Sequence, residues 1–340
     1  NSSNNTTSTD IVNGIVIRST GTNDTRFTSS KPTGEAIRVV SSISNTGDRS
    51  IPMFVSSGSP RKTVFSATGG GDIYFEGNSS GNGTETYSFD ISNATVSATT
   101  GRITFRGNRG AIFNTFGSGD TNIGAGGSSS GDISFEGNRF ANAAGNLALN
   151  MELRNANNYT AEHSNFADTV TFPTPGSTTN VGVLVVGSSS NTTALTVGGP
   201  ILATSSVTYR GGAQTVSAAV TSSTSRVSFL ATGASGSFSK TASTIRAFED
   251  VVINSASSTV STGTGLISAG RNVAITSPSA LSTIGTATAA GNVSVTGATV
   301  TTSGVITSTG STYLTSTGAS SDLSIGANIT STGLLSEIIL

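Results

Sequence analysis

Cysteine and tryptophan are absent from this 340-residue chain, it has one histidine, and only 10% of its residues are charged. An ordinary soluble domain carries about 25% charged residues, so the surface must draw its polarity from elsewhere. Without cysteine there is no disulfide framework, thiolate metal site or thiol nucleophile. One imidazole cannot build a histidine-based metal centre, and no cofactor motif is present. The 17 basic and 18 acidic residues leave a net charge of −1. That balance gives no electrostatic footprint for nucleic acid or an anionic membrane surface. No apolar run approaches the ~18 residues of a membrane-spanning helix. Proline is also scarce, at 7 residues.

In their place stand 42 glycines and a serine and threonine content of roughly a third of the chain. Such a composition is often disordered, because little apolar surface can be buried. Here, however, 34% of residues are hydrophobic and they recur with a period. Leu, Glu, Lys and Gln are few, which disfavours helices, whereas Val, Ile, Thr, Phe and Tyr are strand formers. Alternation at Ile73 and Phe75, Val273 and Ile275, and Val293 and Val295 marks short strands bounded by Gly, Asn and Ser. The expected class is all-β.

Three segments share one pattern: GDIYFEGN at 71–78, GRITFRGN at 101–108 and GDISFEGN at 131–138, separated by the same interval both times. A constant period of about 30 residues signals stacked repeats. The Ile and Phe of each copy face one side, and the Gly-Asn pair that follows suits a tight turn. The outward columns read Asp72, Arg102, Asp132 and Glu76, Arg106, Glu136. Parallel in-register strands ~4.8 Å apart would set each arginine between two carboxylates, which an antiparallel meander would not. The second half repeats on a shorter step. Asp250-Val-Val-Ile, Asn272-Val-Ala-Ile and Asn292-Val-Ser-Val follow one another at nearly equal spacing, and Ser311-Thr-Tyr-Leu continues the series with Thr312 in the Asn position. A coil of ~20 residues fits two or three short strands with tight turns. From Val251 onward only Arg271, Asp322 and Glu337 are charged, so serine and threonine ladders would supply the outer polarity.

The expected architecture is therefore a right-handed parallel β-helix, an elongated rod of ~55–80 Å at ~4.8 Å per coil. Residues 1–64 read as an N-terminal tail and irregular cap, 65–170 as a β-helix of the longer repeat, 171–180 as a Pro/Thr-rich break, and 181–340 as a slimmer helix of the shorter one. The chain lacks an initiating Met and reads as a processed or excised piece, and its apolar terminus Leu334–Leu340 as an exposed edge or a contact.

The Ile-x-Phe-x-Gly-Asn segments resemble the F-x-x-N repeats of the chlamydial polymorphic outer-membrane proteins, and Arg109-Gly-Ala-Ile112 is weakly similar to their G-G-A-I motif. Ala269-Gly-Arg-Asn-Val-Ala-Ile275 and Ala290-Gly-Asn-Val-Ser-Val295 resemble filamentous-haemagglutinin-like exoproteins. Both resemblances imply a right-handed parallel β-helix exported to a bacterial surface and a role in adhesion.

Catalytic chemistry finds little footing. His163 is flanked by Glu162 and Ser164, but neighbours on a strand point to opposite faces and cannot form a triad. Asp72, Glu76, Asp132 and Glu136 could share a face, yet Arg102 and Arg106 between them would hold the carboxyl pKa values down, where an acid catalyst needs them raised. No calcium-loop motif occurs. The eleven Asn-x-Ser/Thr sequons, Asn23, Asn158 and Asn328 among them, match chance for this composition. The expected function is a non-enzymatic surface or secreted adhesin or passenger that binds a host-cell or neighbouring-cell receptor or glycan. The alternatives are a subunit that joins copies of itself end to end into a filament or surface layer, and a polysaccharide-degrading β-helix enzyme or tailspike.

Overall fold

A computed structural model describes residues 12–19, 22–43, 49–57, 61–79, 85–107, 110–113, 122–123, 133–137, 147–148, 152–153, 156–163, 170–171, 179–187, 192, 194–319, 322–334 and 337–340. The regular structure among them is strand throughout, and the strand pairings are parallel. The chain divides into two compact units, Asn1–Gly182 and Val183–Leu340.

In the first unit each coil visits three sheets in turn. One sheet stacks Val12–Ser19, Arg49–Ser57, Glu85–Ser92 and Gly110–Phe113. A second stacks Thr25–Ser29, Thr63–Ala67, Ala94–Ala98, Asn122–Ile123 and Glu152–Leu153. The third holds the longer repeat: Glu35–Ile43, Asp72–Ser79, Ile103–Gly107, Ile133–Gly137 and Ala156–His163. Ile73, Ile103 and Ile133 stand in one column, Phe75, Phe105 and Phe135 in the next, and Glu76, Arg106 and Glu136 in a third. The stretch 12–57, read from sequence as tail and irregular cap, contributes strands to all three sheets. Its Pro52 has no N–H to donate, so pairing toward the next coil lapses at Ile51 and Pro52 and resumes at Met53.

Strict alternation along Asp72–Ser79 turns Ile73 and Phe75 fully inward. Their phenyl neighbours build a continuous aromatic column. Phe27 stacks on Phe65 at 5.0 Å, Phe65 meets Phe75 edge-on at 5.0 Å, and Phe75 stacks on Phe105 at 4.9 Å. The expected turn at Gly77-Asn78 is absent, because both residues continue the strand to Ser79. Gly77 is required there by close approach: a Cβ would collide with the carbonyl of Ser88 on a neighbouring sheet. The chain corners elsewhere, at the buried Asn93, whose φ of 55° places it in the left-handed region. Its Nδ2 donates to the Ser57 carbonyl at 2.7 Å, tying one corner to the coil before it. Asp132, Asn108, Asn138 and most of the Pro/Thr-rich break lie outside the described residues.

The second unit also has three faces. One stacks Val207–Gly211, Val227–Ala231, Val251–Ser255, the first halves of Val273–Ile284 and Val293–Thr302, and Thr312–Ser316. Another runs from Leu195–Val197 through Gln214–Val216, Phe238–Lys240 and Val260–Ser261 to Leu323–Ile325. The last runs from Ile201–Ala203 through Val220–Ser222, Ile245–Ala247, Ile267–Ala269, Ala287–Ala289 and Ile306–Ser308 to Ile329–Ser331. Val251, Val273 and Val293 pair in one column, as the shorter step of the sequence requires. One position of that alignment is corrected. Thr312, not Tyr313, pairs with Val293, so Ser311 takes the Asn position and Thr312 turns fully inward. The Thr312 hydroxyl is satisfied there by Ser308 at 2.9 Å and Ser331 at 3.1 Å, which lets a polar residue replace valine.

The corner preceding these strands carries a side-chain ladder. Asp250 Oδ1 accepts from the Asn272 amide at 3.1 Å and from its Nδ2 at 2.9 Å. Asn272 Oδ1 accepts from the Asn292 amide at 2.9 Å, and Asn292 Oδ1 from the Ser311 amide at 2.8 Å. Asp72 does the same in the first unit, its Oδ1 accepting from the Arg102 amide at 2.8 Å. Each acceptor captures an amide one coil onward and so helps fix the register. Asn272→Ala breaks one such link, and we expect it to cost about 1–2 kcal/mol, as loss of a helix-capping side chain does. The shift of the urea midpoint measures this; an unchanged midpoint would show the ladder to be decorative.

Candidate functional site

A shallow concavity among the described residues lies on the third face of the second unit. On strand Ile245–Ala247, Ile245 and Ala247 turn inward and Arg246 outward. Phe248 follows, and the same alternation carries its ring into solvent, where it is 64% exposed. Both neighbouring coils are small at these positions. Arg246 pairs with Thr221 on one side and Ser268 on the other. Phe248 runs between Ser223 and Gly270, its amide donating to the Ser222 carbonyl at 3.1 Å. At Gly270 a Cβ would strike the Phe248 carbonyl, so this coil can pass only as glycine.

The result is a shallow depression of ≈ 540 Å³ with a floor of serine, alanine and glycine, walled by Arg246, Phe248 and Arg271. Arg271 leans on Glu249 at 3.6 Å, and Glu249 also accepts from the Ser225 hydroxyl at 3.1 Å. Arg246 forms no ion pair among the described residues. The depression thus combines an exposed ring, a guanidinium able to donate in a fork, and hydroxyls, with no acid or base placed for proton transfer. Sequence reasoning passed over it. The signal was present in part, since a strand with Ile245 and Ala247 inside must put Arg246 outside, with Phe248 directly after it.

The acidic positions weighed from sequence lie in the first unit, where Glu76, Arg106 and Glu136 share one column. Glu76 Oε2 accepts from the Tyr74 hydroxyl at 2.8 Å and its Oε1 from Asn78 at 2.9 Å. Burial pushes the Glu76 carboxyl up, but these two bonds, with Arg106 and Arg38, outweigh it and leave the pKa below the ordinary value. Burial and the bond to Glu76 raise the Tyr74 phenol. Arg38, over the Tyr74 ring at 5.0 Å and 3.0 Å from Glu35, completes this outer cluster. Both hydrogen bonds come from Glu76's own strand, and the coils on either side reach its charge through Arg38 and Arg106. His163 ends strand Ala156–His163, paired with Gly137, with Glu162 beside Glu136 in the ladder; Ser164 lies outside the described residues. Among the described residues no three His, Asp or Glu gather as metal ligands, and no helix is long and apolar enough to cross a membrane.

Compared with protein-family models, with curated proteins and with solved structures, the chain matches none.

Proposed function

We propose that this chain is an exported bacterial surface or secreted protein, each unit a right-handed parallel β-helix, that acts as a non-enzymatic adhesin or passenger. One observation carries the reading. On the face from Leu195–Val197 to Leu323–Ile325 the central outward residue is a hydroxyl in seven consecutive coils: Thr196, Thr215, Ser239, Ser261, Thr283, Thr301 and Ser324. Backbone pairing fixes these side chains at a repeat of ~4.8 Å, and they cover the sheet without charge. A surface built this way is soluble yet neutral, suited to contact with a polar surface rather than to electrostatic capture. The resemblance of the repeats to secreted β-helix passengers supports the same reading.

The test is saturable binding of the labelled full chain to bacterial and epithelial cells, with electron microscopy of the protein across a dilution series. Separate, unpolymerised particles that bind cells are expected. End-to-end polymers without cell binding would favour a filament subunit, and release of reducing ends from surface polysaccharide would make it an enzyme.

A further inference from the structure

We infer that the depression walled by Arg246, Phe248 and Arg271 binds a carboxylated sugar, a uronate unit of an acidic polysaccharide. Arg246 lies on strand Ile245–Ala247 and Phe248 is the first residue past its end, two positions on and exposed, so their Cα atoms are at most ~7 Å apart. That span matches one pyranose ring, with its C–H face on the phenyl and its carboxylate on the guanidinium. The ring offers apolar area that is already desolvated on its protein side, and a guanidinium pairs with a carboxylate through two parallel hydrogen bonds. Ser223 and Ser268 line the depression and meet the sugar hydroxyls, while Ser222 is buried with its hydroxyl on the Ser205 carbonyl.

Charge selects the ligand class. Among the described residues Arg246 makes no ion pair, whereas Arg271 is already engaged by Glu249. An anionic sugar therefore completes a guanidinium without displacing an existing partner. A neutral sugar would leave that charge uncompensated, and a bare anion would leave Phe248 exposed.

Calorimetric titration of the full chain with trigalacturonate tests this, beside maltotriose and sodium sulfate at equal concentration and low salt. Saturable one-to-one binding of trigalacturonate alone is expected, weakened about tenfold or more in Phe248→Ala and in Arg246→Gln. Arg246→Lys keeps the charge but not the fork, and should fall between the wild type and Arg246→Gln. Both side chains are exposed, so thermal unfolding of the variants should match the wild type. Absence of saturable binding would overturn the inference. So would equal binding of maltotriose or sulfate, or unchanged affinity in correctly folded variants.

Discussion

Raising the pH from 8 toward 10.5 will stabilise the second unit, by up to about 3 kcal/mol, and Lys240→Met will abolish that dependence. Lys240 occupies an inward position of strand Phe238–Lys240 beside Val216 and is 2% exposed. Among the described residues no carboxylate pairs with it. Its Nζ donates instead to the carbonyls of Ser243 at 2.9 Å and Gly265 at 2.6 Å, with Thr241 at 3.4 Å. These carbonyls belong to corners of two successive coils, where the chain turns between faces, so one ammonium pins two corners together. Gly263 in the upper corner has a φ of 55°, and a Cβ there would strike the Lys240 carbonyl.

Burial pulls the Lys240 pKa down from 10.5 to about 8. Below pH 8 the lysine is protonated in both folded and unfolded chains, and its contribution does not vary. Between about 8 and 10.5 the unfolded chain holds the proton and the folded chain has released it. The unfolded state then binds more protons, and stability rises with pH through that window. A displacement of about 2.5 units corresponds to on the order of 3 kcal/mol, a ceiling because the three carbonyls favour the charged form. Urea midpoints at pH 7, 8, 9 and 9.5 give the slope. Lys240→Met keeps the buried stem and removes the titration, so subtracting its curve removes the background of other groups. A wild-type slope no steeper than that of Lys240→Met would show that the ammonium is as well solvated inside as in water. At pH 7 Lys240→Met should lie close to wild type, because a lost charge-burial penalty offsets the lost carbonyl bonds. Lys240→Ala adds a cavity and should cost a further 2–3 kcal/mol or so.

The stacked coils were legible where inner and outer residues alternate strictly. Ile73 and Phe75 could be aligned with Ile103 and Phe105 without coordinates, and so could Val251 with Val273 and Val293. A parallel register is the arrangement that sets such columns side by side. Three things were not legible, each for a physical reason. From residues 12–57 the step between paired coils shrinks, 38 residues from Val12 to Ser50 and 36 from Arg49 to Glu85 against 30 from Ile73 to Ile103, so no fixed period announces them. At Gly77 the glycine answers to the Ser88 carbonyl across the interior, a demand made by a residue on another sheet rather than by local dihedrals. At Ser311 the asparagine of the ladder is replaced by a smaller residue, and the next residue, Thr312, is a polar residue at an inward place. Only the internal partners Ser308 and Ser331 explain why it is tolerated. The Arg246 and Phe248 depression needed one more step: knowing that the coils on either side bring only serine, threonine and glycine to the same height.

Phe75→Ala should be among the most damaging single changes in the first unit, costing about 3–5 kcal/mol. Its ring is 0% exposed and has neighbours on two sides, Phe65 edge-on and Phe105 stacked. Truncation removes the buried area, leaves a cavity that two planar rings fill poorly, and breaks the aromatic column at its centre. Phe27→Ala is the matching control, since Phe27 is 39% exposed and stacks on Phe65 at the column's outer end. It should cost about 1 kcal/mol, in line with a half-exposed ring. Because a coil touches chiefly its immediate neighbours, the damage should also be local. Amide hydrogen exchange should lose protection over Thr63–Ala67, Asp72–Ser79 and Ile103–Gly107, while Val251–Ser255 and Ile267–Ala269 in the second unit keep theirs. Equal loss in both units would mean that the chain unfolds as one cooperative body. Local loss would mean that each coil is held by the coils directly above and below it. A long, uncharged surface could then vary at one coil without endangering the others.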